Sequence, residues 1–155
     1  MKRVLFIAST GGHLEQLLSL KETMDTFDSY IVTEKNRATK TLKSKYENVS
    51  YLPFFSRKNK LVFPIIFIMV FFRSVYLFLK IKPEIIISTG AGCAIPMFFI
   101  GKLFGKNLIF IETFSRTDTK TLTGKICYPL ADIFIVQWEK LLDIYPRAKY
   151  FGPIY

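Results

Sequence analysis

The sequence predicts an α/β fold with a doubly wound, mostly parallel, Rossmann-like sheet. Two observations favour this class. Apolar runs of strand length alternate with helical patterns along the whole chain. The predicted strands are also apolar on both faces, which is typical of parallel strands covered by helices on either side. The 155 residues contain no internal repeat and no linker-like segment, so we expect one domain over residues 1–155.

The amino-terminal half opens with the most informative segment. Arg3–Ser9 is an apolar run that predicts the first strand, and a glycine turn follows it. A helical pattern then begins, with apolar residues spaced for one helix face at Leu14, Leu17, Leu18 and Met24. The next predicted elements are a strand at Ser29–Thr33, a helix capped by Asn36 and extending to Tyr46, and a short strand at Val49–Pro53.

The carboxyl-terminal half continues the alternation. A basic loop at Ser56–Lys60 leads into Leu61–Lys80, which is overwhelmingly apolar and would be about 30 Å long as a helix. The later predicted elements are strands at Glu84–Ser88, Leu108–Glu112 and Ile133–Val136, helices at Cys93–Phe104 (ended by Gly105) and Leu122–Leu130, and a last strand beginning at Tyr150–Phe151.

The composition restricts the class of partner. The formal net charge is +10, from 22 basic and 12 acidic residues, which favours phosphate-bearing partners. The two cysteines, Cys93 and Cys127, lack metal-ligand spacing and are expected to be reduced, buried thiols in a cytosolic protein. With one histidine and no Cys/His cluster, we expect neither a zinc site nor another metal or cofactor. Met1–Ser9 lacks the pattern of a secretory signal.

Basic residues are concentrated between positions 35 and 60, where eight basic side chains accompany a single acid, Glu47. A solvated helix face is one explanation. Nucleic-acid binding is another, but no recognisable module accompanies the charge, so no nucleic-acid partner is expected. A basic rim beside an apolar helix fits an anionic membrane surface better.

Leu61–Lys80 leaves three alternatives open: a buried crossover helix, a helix lying in the membrane interface, and a membrane span. Its length suits a span. Pro64, Arg73 and the basic residues at both ends argue against one, because an arginine within a span costs roughly 2.5–3.5 kcal/mol. We favour the interfacial helix. The residues expected to meet the membrane are Phe67, Phe71, Arg73 and Phe78.

Two glycine-rich turns follow predicted strands, at residues 10–13 and 88–92. In a doubly wound sheet, ligands bind outside the carboxyl ends of the strands where the strand order reverses. Exposed N–H groups of two neighbouring turns would form a diphosphate cradle. The cradle residues predicted here are Gly11, Gly12, Thr89, Gly90 and Gly92. The alternative for Gly90 and Gly92 is a tight strand–helix turn.

His13 and Glu112 are the candidate reactive residues. His13 is the only histidine and lies in the first turn, either as a structural turn residue or as a phosphate ligand or base. Glu112 ends an apolar strand, where an acid is not expected to serve packing. Glu112 would bind the acceptor hydroxyl, with Arg116 on a phosphate. The alternative is a structural ion pair between Glu112 and Arg116.

These motifs together resemble a known family. The chain is similar to bacterial exopolysaccharide and capsule proteins that are related to the membrane-anchoring subunit of the two-part dolichol-linked N-acetylglucosaminyltransferase. The resemblance covers essentially the whole chain. It rests on Ser9–His13, Pro83–Gly92, Ile111–Arg116, and the stretch from Leu122 through Asp132 to Val136–Trp138.

The resemblance implies a GT-B glycosyltransferase of which this chain would be the acceptor half. A separate subunit would then carry the UDP-sugar site, and the acceptor would be a saccharide on undecaprenyl diphosphate. The implied location is the cytoplasmic face of the cell membrane, peripheral or monotopic. The catalytic residues are predicted from their position rather than from the resemblance: His13 and Glu112 both follow strands placed beside the switch point, and Glu112 is the favoured base. Two alternatives remain, a noncatalytic anchor that recruits its partner and a stand-alone nucleotide-binding enzyme.

Overall fold

The structure is a computed structural model that describes residues 1–54 and 62–154, so the predicted loop at Ser56–Lys60 lies outside the described residues. Its strands form a seven-stranded sheet in the order β3-β2-β1-β4-β5-β6-β7, and every pair of neighbouring strands is parallel. The strands are β1 (Arg3–Ala8), β2 (Asp28–Glu34), β3 (Val49–Leu52), β4 (Ile85–Gly90), β5 (Asn107–Ile111), β6 (Ile133–Val136) and β7 (Lys149–Tyr150).

Helices cover both faces of this sheet. They are α1 (Gly12–Leu18), α2 (Lys21–Asp25), α3 (Phe63–Ile81), α4 (Ala94–Leu103) and α5 (Leu122–Cys127), with 3₁₀ helices at Lys40–Ser44 and Glu139–Asp143. The strand order grows outward from β1 in one direction through β3, and from β4 in the other direction through β7. The order therefore reverses between β1 and β4, which is the topological switch point of a doubly wound sheet.

Strand β1 shows why its sequence is apolar without alternation. Leu5 and Ile7 pack into the core cluster beneath α3, α4 and α5, whereas Val4, Phe6 and Ala8 pack into the cluster beneath α1 and α2. Successive side chains of a strand point to opposite faces, and both faces are covered here. The predicted fold class is therefore confirmed, with a sheet that is wholly rather than mostly parallel among the described strands.

Three predicted helices are wrong in extent. The pattern from Leu14 to Met24 forms two helices, with a break at Ser19, whose Oγ donates to the Gln16 carbonyl and to that of Ile154. The segment from Asn36 to Tyr46 contains only the short 3₁₀ helix, because Asn36 and Thr39 exchange side-chain–backbone bonds that form a local turn. Helix α5 ends at Cys127 rather than at Leu130.

Helix α3 confirms a long apolar helix near residues 61–80, and it ends where Lys82 adopts the left-handed conformation before Pro83. Its inner face is apolar and packs on the core. Phe78 is only 4 % exposed, and its ring centroid lies 5.1 Å from that of Phe104. The prediction that Phe78 meets the membrane is therefore wrong, because this ring belongs to the core side of the helix.

Candidate functional site

A cavity of about 510 Å³ opens at the carboxyl edge of the sheet, at the switch point between β1 and β4. The loops after these two strands are tied together, since the Ser9 N–H donates to the Gly90 carbonyl at 3.2 Å. Loops that follow β2, β3 and β5 complete the walls. The lining residues are Ser9, Thr10, His13, Glu34, Phe54, Gly90, Ala91, Gly92, Glu112, Arg116, Lys120, Thr121, Leu122 and Thr123.

His13 is held at the cavity wall by a reciprocal pair of hydrogen bonds with Thr89. The ring Nδ1 lies 2.7 Å from the Thr89 carbonyl oxygen, and the Thr89 hydroxyl donates to the His13 carbonyl at 2.6 Å. A nitrogen that close to a carbonyl oxygen is the donor, so Nδ1 carries a proton. Nε2 has no hydrogen-bond partner among the described residues, and it is therefore the ring atom available to a ligand.

Gly90 allows the imidazole of His13 to lie against the β4 loop. A Cβ on Gly90 would lie 2.9 Å from the His13 Nδ1, and its φ of +104° is one that side chains rarely adopt. Gly90 and Gly92 both line the cavity. The structure thus brings these two predicted residues and His13 to one site.

The remaining predicted cradle residues lie elsewhere. Thr89 is fully buried, so its side chain clasps His13 rather than contacting a ligand, and the prediction for Thr89 is corrected accordingly. Gly11 is exposed with a φ of +80° and makes the turn into α1. Gly12 and Gln16 line a smaller depression of about 340 Å³. His13 lines both this depression and the main cavity.

Glu112 reaches the cavity floor but is only 1 % exposed. Its carboxylate accepts hydrogen bonds from the Thr121 hydroxyl at 2.9 Å, the Tyr145 hydroxyl at 2.8 Å and the Thr113 N–H at 3.0 Å. The Thr121 N–H adds a longer bond at 3.5 Å. A carboxylate with these partners has little lone-pair capacity left for a substrate proton. The role of Glu112 as a catalytic base stays a prediction, and these hydrogen bonds favour a positioning role for its carboxylate.

The alternative of an ion pair between Glu112 and Arg116 has no support among the described contacts. The Arg116 guanidinium instead donates to the Thr119 hydroxyl at 3.2 Å, and the side chain is exposed. Arg116 nevertheless lines the cavity, as predicted for a residue that binds phosphate. Its guanidinium lies at the surface of the loop and does not pair with the buried Glu112 carboxylate.

The negative charge of Glu112 affects its buried neighbours. Burial, together with that charge, raises the pKa of Tyr145 well above its usual value. The same two causes raise the pKa of the Cys127 thiol to about 12. Both groups therefore stay protonated at neutral pH, and the Tyr145 hydroxyl remains a donor to Glu112.

Two charged lining residues, Lys120 and Glu34, were not predicted from the sequence. Lys120 places its ammonium 4.9 Å from the Tyr145 ring centroid and adds a second cation to the cavity. Glu34, at the end of β2, accepts a bond from the Thr10 N–H at 3.2 Å and holds the first glycine turn. The available signal for Glu34 was the one used for Glu112, an acid that ends an apolar strand.

A buried polar network joins α1 to the loop after β5. The Gln137 side chain donates to the Gln16 Oε1 at 2.7 Å and to the Glu112 carbonyl at 2.9 Å, while the Phe114 N–H donates to the same Gln16 oxygen. Buried, satisfied networks of this kind fix the relative placement of the elements they join.

Within residues 1–54 and 62–154, no group of three or more His, Cys, Asp or Glu side chains could hold a metal ion.

Solved structures show the same architecture. MurG of Acinetobacter baumannii superposes with a TM-score of 0.74 at 15 % identity, over 90 % of this chain and 43 % of that one. UDP-N-acetylglucosamine 2-epimerase of Rickettsia bellii gives 0.74 at 16 % identity, over 99 % and 45 % respectively. The chain thus spans less than half the length of these proteins, and its fold is one Rossmann-like half of a GT-B protein.

Sequence comparison gives the family. The profile of the Alg14-like oligosaccharide biosynthesis proteins matches residues 4–154, so the chain belongs to that family. The UDP-N-acetylglucosamine transferase subunit ALG14 of Mus musculus is 28 % identical over 181 residues, covering 98 % of this chain and 82 % of the mouse protein. The subunit of the same name from Kluyveromyces lactis is 41 % identical over 93 residues, covering 52 % of this chain and 39 % of the yeast protein.

The predicted glycosyltransferase subunit and half of a GT-B fold are thus confirmed at the level of family and fold. Neither comparison bears on individual side chains. The roles of His13, Arg116 and Lys120 therefore rest on the geometry of the cavity.

Proposed function

We propose that this chain is the acceptor-binding, membrane-associating subunit of a heteromeric glycosyltransferase. The enzyme would transfer a sugar from a UDP-sugar to an undecaprenyl-diphosphate-linked saccharide during surface polysaccharide assembly. The observation that carries the proposal is the cavity at the switch point, where a glycine turn, His13 and two cations converge. These are the groups that a sugar diphosphate requires.

The cavity supports a division of labour. Arg116 and Lys120 neutralise the diphosphate, and the glycine turn at Gly90 and Gly92 lets it approach the backbone closely. The His13 Nε2 binds the acceptor or accepts the proton of the attacking hydroxyl. Glu112 is a positioning residue, because its carboxylate holds Thr121 at the start of α5 and thereby the end of the cation-bearing loop.

The donor site is assigned to a second subunit. Support comes from the relatives, which are named as subunits of a UDP-N-acetylglucosamine transferase, and from the superposition on a single half of MurG. UDP-N-acetylglucosamine is accordingly the first donor to test. Without the partner, we expect little transfer by the purified chain.

Membrane association is assigned to the outer face of α3. Ile65, Ile68, Phe72, Tyr76 and Leu79 are all at least half exposed and recur at helical spacing, so that a second apolar face points away from the core. Of the residues predicted for this role, Phe71 is exposed, Phe67 is half-buried, and Arg73 is exposed. Helix α3 also has the length and apolar composition of a span, but its core-packed inner face supports an interfacial position.

A second candidate function is a noncatalytic anchor that recruits or stabilises a catalytic partner. The observation that favours it is the set of hydrogen bonds that the Glu112 carboxylate accepts, because they engage the side chain that was the favoured candidate base. Under this alternative, substitutions in the cavity would leave turnover unchanged, whereas substitutions on the outer face of α3 would abolish it.

The test is turnover by the chain co-purified with its donor-binding partner, given a radiolabelled UDP-sugar and a polyprenyl-diphosphate-linked sugar. His13→Ala and Arg116→Ala should each lower turnover at least tenfold, equivalent to about 1.4 kcal/mol of barrier. Arg147→Ala is the matched control, because Arg147 is an exposed arginine 4.8 Å from the Tyr128 ring centroid and outside the cavity. Normal turnover in both cavity variants would favour the anchor.

A further inference from the structure

An apolar groove of about 590 Å³ lies between helix α3 and the end of strand β3, and we call it the α3–β3 groove. One wall is formed by β3 and the residues after it, and the other by outward-facing side chains of α3. The principal apolar lining residues are Leu52, Pro53, Ile68, Met69, Phe72 and Tyr76. Contiguous exposed apolar side chains that line a groove are a feature of ligand and interaction sites.

The groove lies beside the switch-point cavity, because at two places consecutive residues of the chain line one site and then the other. Glu34 lines the cavity and Lys35 lines the groove. Phe54 lines the cavity and Pro53 lines the groove. Consecutive residues are about 3.8 Å apart at their Cα atoms, so the polar cavity and the apolar groove lie next to each other at the carboxyl ends of β2 and β3.

Arg73 joins the two walls of the groove. Its Nε donates to the Tyr51 carbonyl at 3.3 Å, on the β3 side, and its guanidinium lies 5.0 Å from the centroid of the Tyr76 ring, on the α3 side. Lys35 adds a second positive charge at the rim. The groove therefore combines an apolar interior with cations at its edge, which suits a hydrocarbon chain that carries an anionic head.

We propose that the α3–β3 groove holds the first isoprenoid units of the lipid-linked acceptor, with the diphosphate of the same molecule in the switch-point cavity. The inference rests on the proposed function for the identity of the head group. The occupant is indicated by the adjacency of a cationic polar cavity and an apolar groove. It is also indicated by the position of the groove beside the outer face of α3, from which a membrane lipid would enter.

The test uses two soluble probes, farnesyl diphosphate below its micelle concentration and inorganic pyrophosphate, with affinities measured calorimetrically on the full chain. Farnesyl diphosphate should bind at least tenfold more tightly than pyrophosphate. The double variant Ile68→Ser/Phe72→Ser should lose at least fivefold in farnesyl diphosphate affinity and keep its pyrophosphate affinity. Ile65→Ser/Leu79→Ser is the matched control, because these residues are similarly exposed on the same helix but lie outside the groove.

The outcomes separate the groove from the proposed function. Equal affinities for the two probes would contradict the isoprenoid site in the groove and would leave the proposed diphosphate site unaffected. Equal loss in the groove and control variants would also overturn it, since that result indicates general adhesion to exposed apolar surface. If farnesyl diphosphate binds with the predicted groove dependence while pyrophosphate fails to bind and Arg116→Ala has no effect, the groove stands and the diphosphate site fails.

Discussion

Glu112 and His13 come from similar positions in the sheet but meet different surroundings. His13 follows β1 and Glu112 follows β5, so both lie at the carboxyl edge of the sheet, on strands that β4 separates. The Glu112 carboxylate accepts hydrogen bonds from residues 113, 121 and 145. The His13 ring uses Nδ1 in a hydrogen bond to Thr89, and its Nε2 has no partner among the described residues. The carboxylate therefore stabilises the fold, and the imidazole is the group equipped to meet a ligand.

Replacing Glu112 with glutamine tests this assignment. Hydrogen bonds to a charged group contribute about 1.5–3 kcal/mol each, and an amide cannot replace all of them, so Glu112→Gln should lower the free energy of unfolding by about 1–3 kcal/mol. Urea denaturation measures the change. Glu84→Gln is the control, because that exposed carboxylate accepts a single hydrogen bond among residues 1–54 and 62–154, from the Arg3 N–H at 3.2 Å. It should change stability by less than about 0.5 kcal/mol. Unchanged stability of Glu112→Gln with reduced turnover would restore the catalytic base.

A glycine in α5 gives a second test of the same buried cluster. Gly-to-Ala substitution at a helical position normally stabilises by about 0.4–1 kcal/mol. At Gly124, however, a Cβ would overlap the Glu112 Oε2 and lie 2.6 Å from the Tyr145 hydroxyl. We expect Gly124→Ala to lower the free energy of unfolding by at least about 2 kcal/mol.

Gly12 provides the control, since it opens α1 and a Cβ there would meet nothing within 4 Å. Gly12→Ala should be neutral or stabilising in the same urea titration. A Gly124→Ala protein as stable as the wild type would show that the Glu112 cluster is looser than its contacts indicate.

At the scale of elements, α3 is unusual in having two apolar faces. The inner face packs on the core, and the outer face is exposed along the whole helix. Helix α4 adds exposed apolar side chains next to it, at Phe99, Leu103 and Phe104. The net charge of +10 would draw this surface to anionic lipid.

Two phenylalanines of α3 separate the roles of its faces. Phe72 is 67 % exposed, so Phe72→Ser should leave the fold intact and lower binding to anionic phospholipid vesicles severalfold in sedimentation assays. Phe78→Ser removes a buried ring and should cost about 3–5 kcal/mol of unfolding free energy. The membrane assignment fails if a folded Phe72→Ser/Leu79→Ser protein sediments with vesicles as fully as the wild type does.

At the scale of the whole molecule, buried protonated groups predict loss of stability in alkali. The pKa of Cys127 is about 12 in the fold and about 9 in the unfolded chain, and burial raises the pKa of Cys93 as well. The stabilisation is complete below pH 9, because both states are then protonated. It is lost as the pH rises from 9 towards 12, by about 1.4 kcal/mol per pH unit for each such group.

Cys127→Ala removes one of these groups. Its destabilisation relative to the wild type should therefore shrink by up to about 1.4 kcal/mol per pH unit above pH 9, as measured by urea unfolding between pH 8 and 10.5. Met97→Ala is the control, because Met97 is buried but does not ionise, and its destabilisation should stay constant with pH. A constant difference for Cys127→Ala as well would mean that the thiol ionises in the fold as it does in the unfolded chain.

The sequence by itself determined the architecture and the family. Strands that are apolar on both faces require helices on both sides, and glycine turns after the first and fourth strands place a ligand site at their carboxyl edge. These features are local, since periodicity and turn chemistry act over a few residues. Local interactions also explain why the predicted helix from Asn36 to Tyr46 is wrong. A turn formed by Asn36 and Thr39 competes with the helical pattern there.

The tertiary structure alone decided which predicted residues face a ligand. Nothing near Glu112 in the sequence shows that Tyr145, 33 positions later, donates to its carboxylate. Likewise, Phe72 and Phe78 are the same residue type in one apolar helix, and the tertiary structure shows that Phe78 packs in the core cluster whereas Phe72 is exposed. Burial and hydrogen-bond satisfaction depend on partners distant in the chain, and periodicity carries no information about them.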